Sequence, residues 1–267
     1  MSRTRAKKSF GQHFLHQKGI AQRIARSLQL AGTGYEHVLE VGPGKGMLTQ
    51  YLLGQDYHLK AVEADRDMVA HLAEQLPALS EEDVIYLDFL KVRPDRVFDG
   101  QPFGLIGNFP YNISSQIVFK MLDYHDLIPE MVGMFQKEMA ERIVAPEGGK
   151  DYGVISVLAQ AYYRGEMLFD VKPSNFTPPP KVQSAVIRLT RREEQPDVPF
   201  KVLRRTVKMA FAQRRKMLRN TLKTCLPADR LQDDYFKQRA EKLTVAEFIA
   251  LAKEVKAFDD CPPEKDA

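Results

Sequence analysis

Short apolar runs rich in β-branched residues recur along much of the chain, and segments with helical periodicity separate them. The strand-like runs cover residues 37–41, 59–62, 84–87, 104–108 and 131–136. Strands that alternate with helices form a mainly parallel sheet, because consecutive parallel strands need a crossover connection. The alternation therefore predicts an α/β, doubly wound fold.

Two different sequence patterns follow in the remainder of the chain. A helical segment at 154–161 precedes two further strand-like runs, 162–171 and 182–190, which are typical of an antiparallel edge hairpin. A polar, proline-containing stretch follows and indicates a linker. We therefore predict a large domain over residues 1–190, a linker over 191–200 and a small helical domain over 201–267.

Positive charge is clustered rather than spread. The net charge is only +4, but residues 1–35 hold seven Lys or Arg and no acid, and residues 201–223 hold nine basic residues and no acid. On a helical wheel these nine, except Arg214, lie opposite an apolar face, which predicts one amphipathic helix or two with a break near Gln213. Such clusters favour binding to a polyanion.

Cysteine usage and hydropathy bear on the compartment. The two cysteines, Cys225 and Cys261, have no CxxC spacing and are too few for a disulfide framework, and no apolar run is long enough to span a bilayer. We expect a cytoplasmic protein without a membrane partner. Because no large apolar helix face is left over, we also expect a monomer.

A glycine-rich loop follows the first strand of the predicted sheet. Its sequence over residues 40–46 is EVGPGKG. The dinucleotide fingerprint GxGxxG fails because Met47 and Thr49 occupy the positions that require glycine, and the P-loop pattern fails because Gly46 follows Lys45. Gly42 and Gly44 nevertheless let the backbone approach a cofactor closely.

Two acids complete a predicted cofactor site. Glu63 ends the second strand, 21 residues after Gly42, where an acid can accept both hydroxyls of a ribose. Asp88 follows the third strand and can accept a hydrogen bond from an adenine amine. A pocket for adenosine without a site for pyrophosphate suits S-adenosylmethionine.

The sequence NFPYN at 108–112 ends the fourth strand at the same sheet edge. The Asn108 side-chain oxygen and the Pro110 carbonyl can accept hydrogen bonds from an adenine amine, and Tyr111 offers a ring for stacking. Phe176 could supply a second aromatic face. A polar turn at Asn108 and a core position for Phe176 are the alternatives. His13 and His16 lack matching ligands elsewhere, so we expect no metal.

These motifs together resemble the small-subunit (16S) ribosomal RNA adenine dimethyltransferases, the KsgA-type family. The resemblance extends from about residue 7 to residue 222. It includes KSFGQHFL at 8–15, EVGPG at 40–44, NFPYNIS at 108–114, QKE at 136–138 with ER at 141–142, FTPPPKVQS at 176–184 and FAQRRKML at 211–218.

The resemblance implies a class I (Rossmann-like) methyltransferase fold with a seven-stranded sheet, followed by a small all-helical C-terminal domain. It implies that the cofactor contacts are His13, Leu15, Gly42, Gly44, Glu63, Asp88 and Asn108. The target base would be arranged by Asn108, Pro110, Tyr111 and Phe176. The chain departs from the usual family pattern at His13, Phe109 and Lys45, where Asn, Leu and an apolar residue are common.

The implied activity is dimethylation of the 6-amino groups of two adjacent adenines in small-subunit rRNA, with the small ribosomal subunit as partner. The residues expected to bind RNA are Lys7, Lys8, Arg204, Lys208, Arg215, Lys216 and Arg219. A large-subunit adenine methylase of the macrolide-resistance type and a non-catalytic assembly or transcription factor on the same fold are the alternatives. A dinucleotide-dependent oxidoreductase is a more distant one.

Overall fold

The computed structural model describes residues 11–257 of the 267-residue chain. Lys7, Lys8 and Cys261 lie outside the described residues. The described chain divides into two compact units. The first consists of residues 11–140 and Gly165–Arg191, and the second of Glu141–Arg164 and residues 192–257.

The strands, in chain order, are β1 Phe14–Leu15, β2 His37–Val41, β3 His58–Glu63, β4 Val84–Tyr86, β5 Phe103–Asn108, β6 Glu130–Gln136, β7 Tyr163–Val171, β8 Phe176–Thr177 and β9 Ser184–Arg191. The α-helices are α1 Lys18–Ala25, α2 Thr49–Leu52, α3 Arg66–Gln75, α4 Pro94–Val97, α5 Ser114–Asp123, α6 Lys137–Val144, α7 Val154–Tyr162, α8 Phe200–Phe211, α9 Leu218–Thr221 and α10 Val245–Ala257. The five strand-like runs before residue 140 each coincide with an observed strand to within one or two residues.

Within the described residues, a seven-stranded sheet has the strand order β4-β3-β2-β5-β6-β9-β7. The pairs β2 with β3, β3 with β4, β2 with β5, and β5 with β6 are parallel, and β9 runs antiparallel to β6. The chain proceeds outward from β2 on one side and then returns to begin the other side at β5. This reversal creates a topological switch point, where open α/β sheets bind ligands beyond the carboxyl ends of their strands.

The central strands are buried along almost their whole length. In β2 the residues from Val38 to Val41 are all buried, and in β5 only the last residue, Asn108, is partly exposed. Helices cover both faces of a doubly wound sheet, so its inner strands need apolar residues at consecutive positions rather than at alternating ones. The polar ends of these strands therefore stand out as the places where chemistry can occur.

Buried Glu130, the first residue of β6, fastens the segment before β2 to the sheet. Its carboxylate accepts hydrogen bonds from the backbone N–H groups of Gln29 and Leu30 and, at 2.7 Å, from the hydroxyl of Tyr35. Burial and the neighbouring carboxylate raise the pKa of Tyr35 far above its ordinary value. The hydroxyl therefore remains a donor at every ordinary pH, and the acid satisfies three donors that are distant from it in sequence.

In the second unit, helices α7, α8 and α10 pack against one another. Residues 141–164 group with this unit rather than with the first, unlike the predicted domain ranges, because α7 packs on α8 and α10. Helix α8 ends at Phe211, in agreement with the predicted break near Gln213. Arg214, the one basic residue on the apolar face, donates hydrogen bonds to the carbonyls of Gly149, Lys150 and Tyr152.

No helix in the described part of the chain is long and apolar enough to cross a bilayer. Cys225 is fully buried and is not a free thiol in the structure.

The Glu130 contacts predict a large loss of stability on truncation. Glu130→Ala leaves three donors without their acceptor, so the free energy of unfolding should fall by about 3 kcal/mol. Tyr35→Phe removes one of the three bonds and should cost about 1 kcal/mol. Urea unfolding of the full chain measures both, and equal stability of Glu130→Ala and the unsubstituted chain would contradict this account.

Candidate active site

A cavity of about 500 Å³ lies at the carboxyl edge of the sheet, at the switch point between β2 and β5. It belongs entirely to the first unit. Nine of the predicted site residues line it: His13, Leu15, Gly42, Gly44, Glu63, Asp88, Asn108, Pro110 and Tyr111. Residues that lie up to 98 positions apart in the chain therefore converge on one space because parallel strands end at the same edge.

The glycine loop forms one wall of the cavity. Gly42, Gly44 and Gly46 all have positive φ, at 69°, 55° and 76°, in the left-handed region that favours glycine. A Cβ at Gly44 would also lie 3.1 Å from the ring of Phe14. The loop thus needs glycine both for its backbone conformation and for the close approach of β1.

The carboxylate of Glu63 is oriented by this loop. Its Oε2 accepts from the Gly44 N–H at 3.0 Å, and its Oε1 accepts from the Asp65 N–H at 2.9 Å. Burial raises the pKa of Glu63, while these backbone N–H groups oppose the increase. Each oxygen keeps a second lone pair, as an acceptor for two ribose hydroxyls requires.

Asp88 lies beyond β4 and has a similarly fixed geometry. Its Oδ1 accepts from the Leu90 N–H at 2.9 Å and caps the short 3₁₀ turn that follows. The side chain is partly exposed and lines the cavity. The turn therefore holds one oxygen, which leaves Oδ2 available to a ligand.

Glu40, which sequence reasoning did not select, is the most unusual group in the cavity wall. Only 1% of the residue is exposed, and its Oε2 has no hydrogen-bond partner within the described chain. Burial, and secondarily the negative charge of Glu63, raises the pKa of Glu40 to about 8. An acid inside an otherwise apolar strand was the sequence signal for this position.

The side chain of Asn108 is fixed by a bond to the N-terminal segment. Its Nδ2 donates to the carbonyl of His13 at 3.0 Å, which leaves Oδ1 as the free acceptor of the amide. The carbonyl of Pro110 accepts from the Ile113 N–H at 3.2 Å and retains its second lone pair. The two oxygens predicted to bind an amine are therefore present, and the amide is oriented by its other end.

Tyr111 has one face covered by a histidine ring. The rings of His13 and Tyr111 are stacked, with centroids 5.4 Å apart and planes inclined by 28°. His13 Nδ1 lies 2.8 Å from the carbonyl of Pro178, and since a carbonyl can only accept, Nδ1 carries the proton. The Tyr111 hydroxyl lies 2.6 Å from Ser184 Oγ. The ring is thus held at its edge and stacked on one face.

Phe176 does not join the cavity. It lies in β8, which pairs antiparallel with β1 and places Phe176 opposite Leu15. Only 2% of it is exposed, and it packs in the hydrophobic core of the first unit. The structure therefore places it as a core residue, because the pairing of two short strands turns its ring inward.

The residues predicted to bind RNA fall into two groups. Arg215, Lys216 and Arg219 are exposed on the second unit, whereas Arg204 and Lys208 are partly buried in α8. Lys7 and Lys8 lie outside the described residues. The exposed group follows the helix break and is free of the apolar packing that α8 requires.

The charges of the cavity fit one kind of ligand. Three acidic side chains, those of Glu40, Glu63 and Asp88, line it. The buried Oε2 of Glu40 has no hydrogen-bond partner within the described chain. S-Adenosylmethionine combines hydroxyls and an amine for acceptors with two positive groups, a sulfonium and an ammonium. No group of three or more metal-ligating side chains exists in the part of the chain that the structure describes.

The sheet order, the glycine loop and the acids at three strand ends define a Rossmann-like methyltransferase. Two solved structures share the fold. A dimethyladenosine transferase from Plasmodium falciparum has a TM-score of 0.77 at 24% identity, covering 92% of this chain and 98% of that chain. The 23S rRNA methyltransferase ErmE has a TM-score of 0.70 at 24% identity, covering 91% and 99%.

The model of the ribosomal RNA adenine dimethylase family matches residues 3–257, so the chain belongs to this family. A relative from Flavobacterium johnsoniae is 48% identical over 260 residues, with 96% of this chain and 98% of the relative covered. One from Bacteroides fragilis is 50% identical over 267 residues, with 99% and 97% covered. Both are ribosomal RNA small subunit methyltransferase A. The predicted family and fold class are confirmed, and with them the predicted enzyme class and cofactor.

The raised pKa of Glu40 predicts a pH-dependent stability. Between its ordinary value of 4.5 and about 8, the unfolded chain releases this proton while the folded chain retains it, so the free energy of unfolding falls as pH rises. Glu40→Gln lacks the group. Relative to the unsubstituted protein, its stability should therefore improve by at least about 1 kcal/mol from pH 5 to pH 8.

Urea unfolding without ligand at both pH values measures this difference. Glu36→Gln provides the control, since Glu36 is exposed and lies one residue before β2. If the difference in unfolding free energy between Glu40→Gln and the unsubstituted protein is the same at both pH values, the buried carboxyl is already ionised at pH 5, which would contradict the raised pKa.

Proposed function

We propose that this chain transfers methyl groups from S-adenosylmethionine to the 6-amino groups of two adjacent adenines in small-subunit (16S) rRNA. The observation that carries the proposal is the arrangement of Asn108, Pro110 and Tyr111 at the edge of a cavity lined by three acids. Membership of the ribosomal RNA adenine dimethylase family supports it, as do the names of the two relatives.

The bound cofactor supplies an electrophilic methyl group on a sulfonium. The protein has to make the adenine amine a better nucleophile, because its lone pair is delocalised into the ring. Oδ1 of Asn108 and the carbonyl of Pro110 accept hydrogen bonds from the N–H groups of this amine and favour a tetrahedral nitrogen. Because His13 holds the amide nitrogen of Asn108, this acceptor is oriented before the base arrives.

Tyr111 serves as the platform for the target base. Its hydroxyl is held by Ser184, so the ring cannot easily turn away when a base stacks on it. The base has to leave its own stack to reach this platform, which favours adenines in loops over those in helices.

The second unit would hold the RNA backbone through its exposed basic residues. We place the activity in the cytoplasm, with the small ribosomal subunit as partner and a monomer as the acting form. Support for the small subunit as partner comes from the relatives' names, and support for RNA binding comes from the acid-free basic segment at 201–223.

The experiment that tests the proposal is transfer of radiolabelled methyl groups to unmethylated small subunits, with large subunits and naked rRNA as parallel acceptors. We expect dimethyladenine in the small-subunit rRNA alone. Asn108→Ala should reduce transfer by at least about a hundredfold, because one of the two amine acceptors is lost, while RNA binding should change little.

Other outcomes would each redirect the assignment. Label in the large-subunit rRNA would move the chain to methylases of the macrolide-resistance type. Tight RNA binding without any label would make it a non-catalytic factor on the same fold. Full activity of Asn108→Ala would remove Asn108 from the reaction.

The exposed basic residues predict a specific salt dependence. Arg215→Ala combined with Arg219→Ala should weaken RNA binding and lower the slope of log affinity against log salt by about one to two, since two phosphate contacts are lost. Lys237→Ala with Lys253→Ala removes the same charge from lysines already paired with Asp234 and Asp197. This control should leave the slope unchanged; equal effects of both pairs would argue for a general charge effect.

A further inference from the structure

Lys45 is the only lysine or arginine among the described residues that line the cavity. It directly follows Gly44, whose N–H donates to Glu63. Its side chain is exposed and forms no salt bridge with any described residue. Nζ instead lies 4.8 Å from the centroid of the Phe14 ring, within the range of a cation–π interaction.

The position of Phe14 fixes where this ammonium group lies. Phe14 belongs to β1 and follows His13, whose carbonyl binds Asn108. Lys45 therefore bridges two walls of the cavity, the glycine loop beside the ribose acid and the segment beside the reacting amide. In a ligand whose ribose binds Glu63 and whose methyl group reaches Asn108, the sulfur joins these two groups, and the amino-acid chain extends from the same sulfur, close to both walls.

None of the cavity groups described so far binds the carboxylate of that amino-acid portion. The acids suit the hydroxyl, amine and positive groups of S-adenosylmethionine, but the carboxylates of Glu63 and Asp88 repel its carboxylate. A ligand carboxylate in a cavity with these acids needs a cation to offset that repulsion. Lys45 is available for this because its ammonium makes no ion pair within the described chain.

We propose that Lys45 binds the carboxylate of the methionine portion of the cofactor, with Phe14 holding the ammonium group in position. The proposal rests on the proposed function, since it needs S-adenosylmethionine in this cavity. Lys45 would select for ligands that carry the amino-acid carboxylate, and it would act equally on the methyl donor and on its demethylated product, since both carry that group.

The test compares ligands with and without the carboxylate by titration calorimetry of the full chain, in the absence of RNA. Lys45→Met keeps the length and the apolar contact with Phe14 but removes the charge. It should weaken binding of S-adenosylmethionine and S-adenosylhomocysteine by roughly five- to tenfold. Binding of 5′-methylthioadenosine, which lacks the amino acid, should stay within about twofold. Lys45→Arg should retain most of the affinity.

Lys18→Met is the matched control, because Lys18 is also exposed in the first unit but does not line the cavity. Equal loss for all three ligands would indicate a disturbed fold of the loop and would overturn the proposal. So would unchanged cofactor binding by Lys45→Met, whether or not RNA binding falls. If the unsubstituted protein binds no S-adenosylmethionine, the proposed function itself fails, and this result is distinct from the others.

Discussion

Parallel pairing of β2 with both of its neighbours is the constraint on which the rest of the molecule depends. It brings the ends of β2, β3 and β5 to one edge, and it requires the chain to reverse its direction of travel across the sheet between β4 and β5. The cavity exists because of that reversal. Glu130, at the start of β6, holds the segment before β2 by hydrogen bonds from Leu30 and Tyr35, at the edge of the sheet opposite the cavity.

The electrostatics of the cavity follow from this geometry. Acids that would be solvated on separate loops are brought into one partly enclosed space, where the negative charge of Glu63 raises the cost of ionising Glu40. Glu40 and Glu63 respond with raised pKa values, and burial is the main cause for both. A positively charged ligand relieves this repulsion, so the cavity favours the kind of molecule it binds.

The sequence predicted the sheet well because buried parallel strands appear as continuous apolar runs, as the identical bounds of β2 illustrate. It also predicted most of the cavity, because strand ends carry the chemistry. It left Phe176 undecided between the cavity and the core, since the pairing of Phe14–Leu15 with Phe176–Thr177 joins two segments of two residues across 162 positions. Such a pairing leaves no periodic pattern. The hydrogen bond from Arg214 to the carbonyl of Lys150 was not predicted either, because it also joins segments far apart in the chain.

The two-stranded sheet of β1 and β8 also links the N-terminal segment to the proline-rich segment. β1 directly follows His13, whose carbonyl binds Asn108, and β8 leads directly into Pro178, whose carbonyl binds the His13 ring. The two segments are therefore joined by the backbone hydrogen bonds between β1 and β8 and by the imidazole of His13. The position of the proline-rich segment thus sets the position of His13, whose carbonyl orients the Asn108 amide and whose ring stacks on Tyr111.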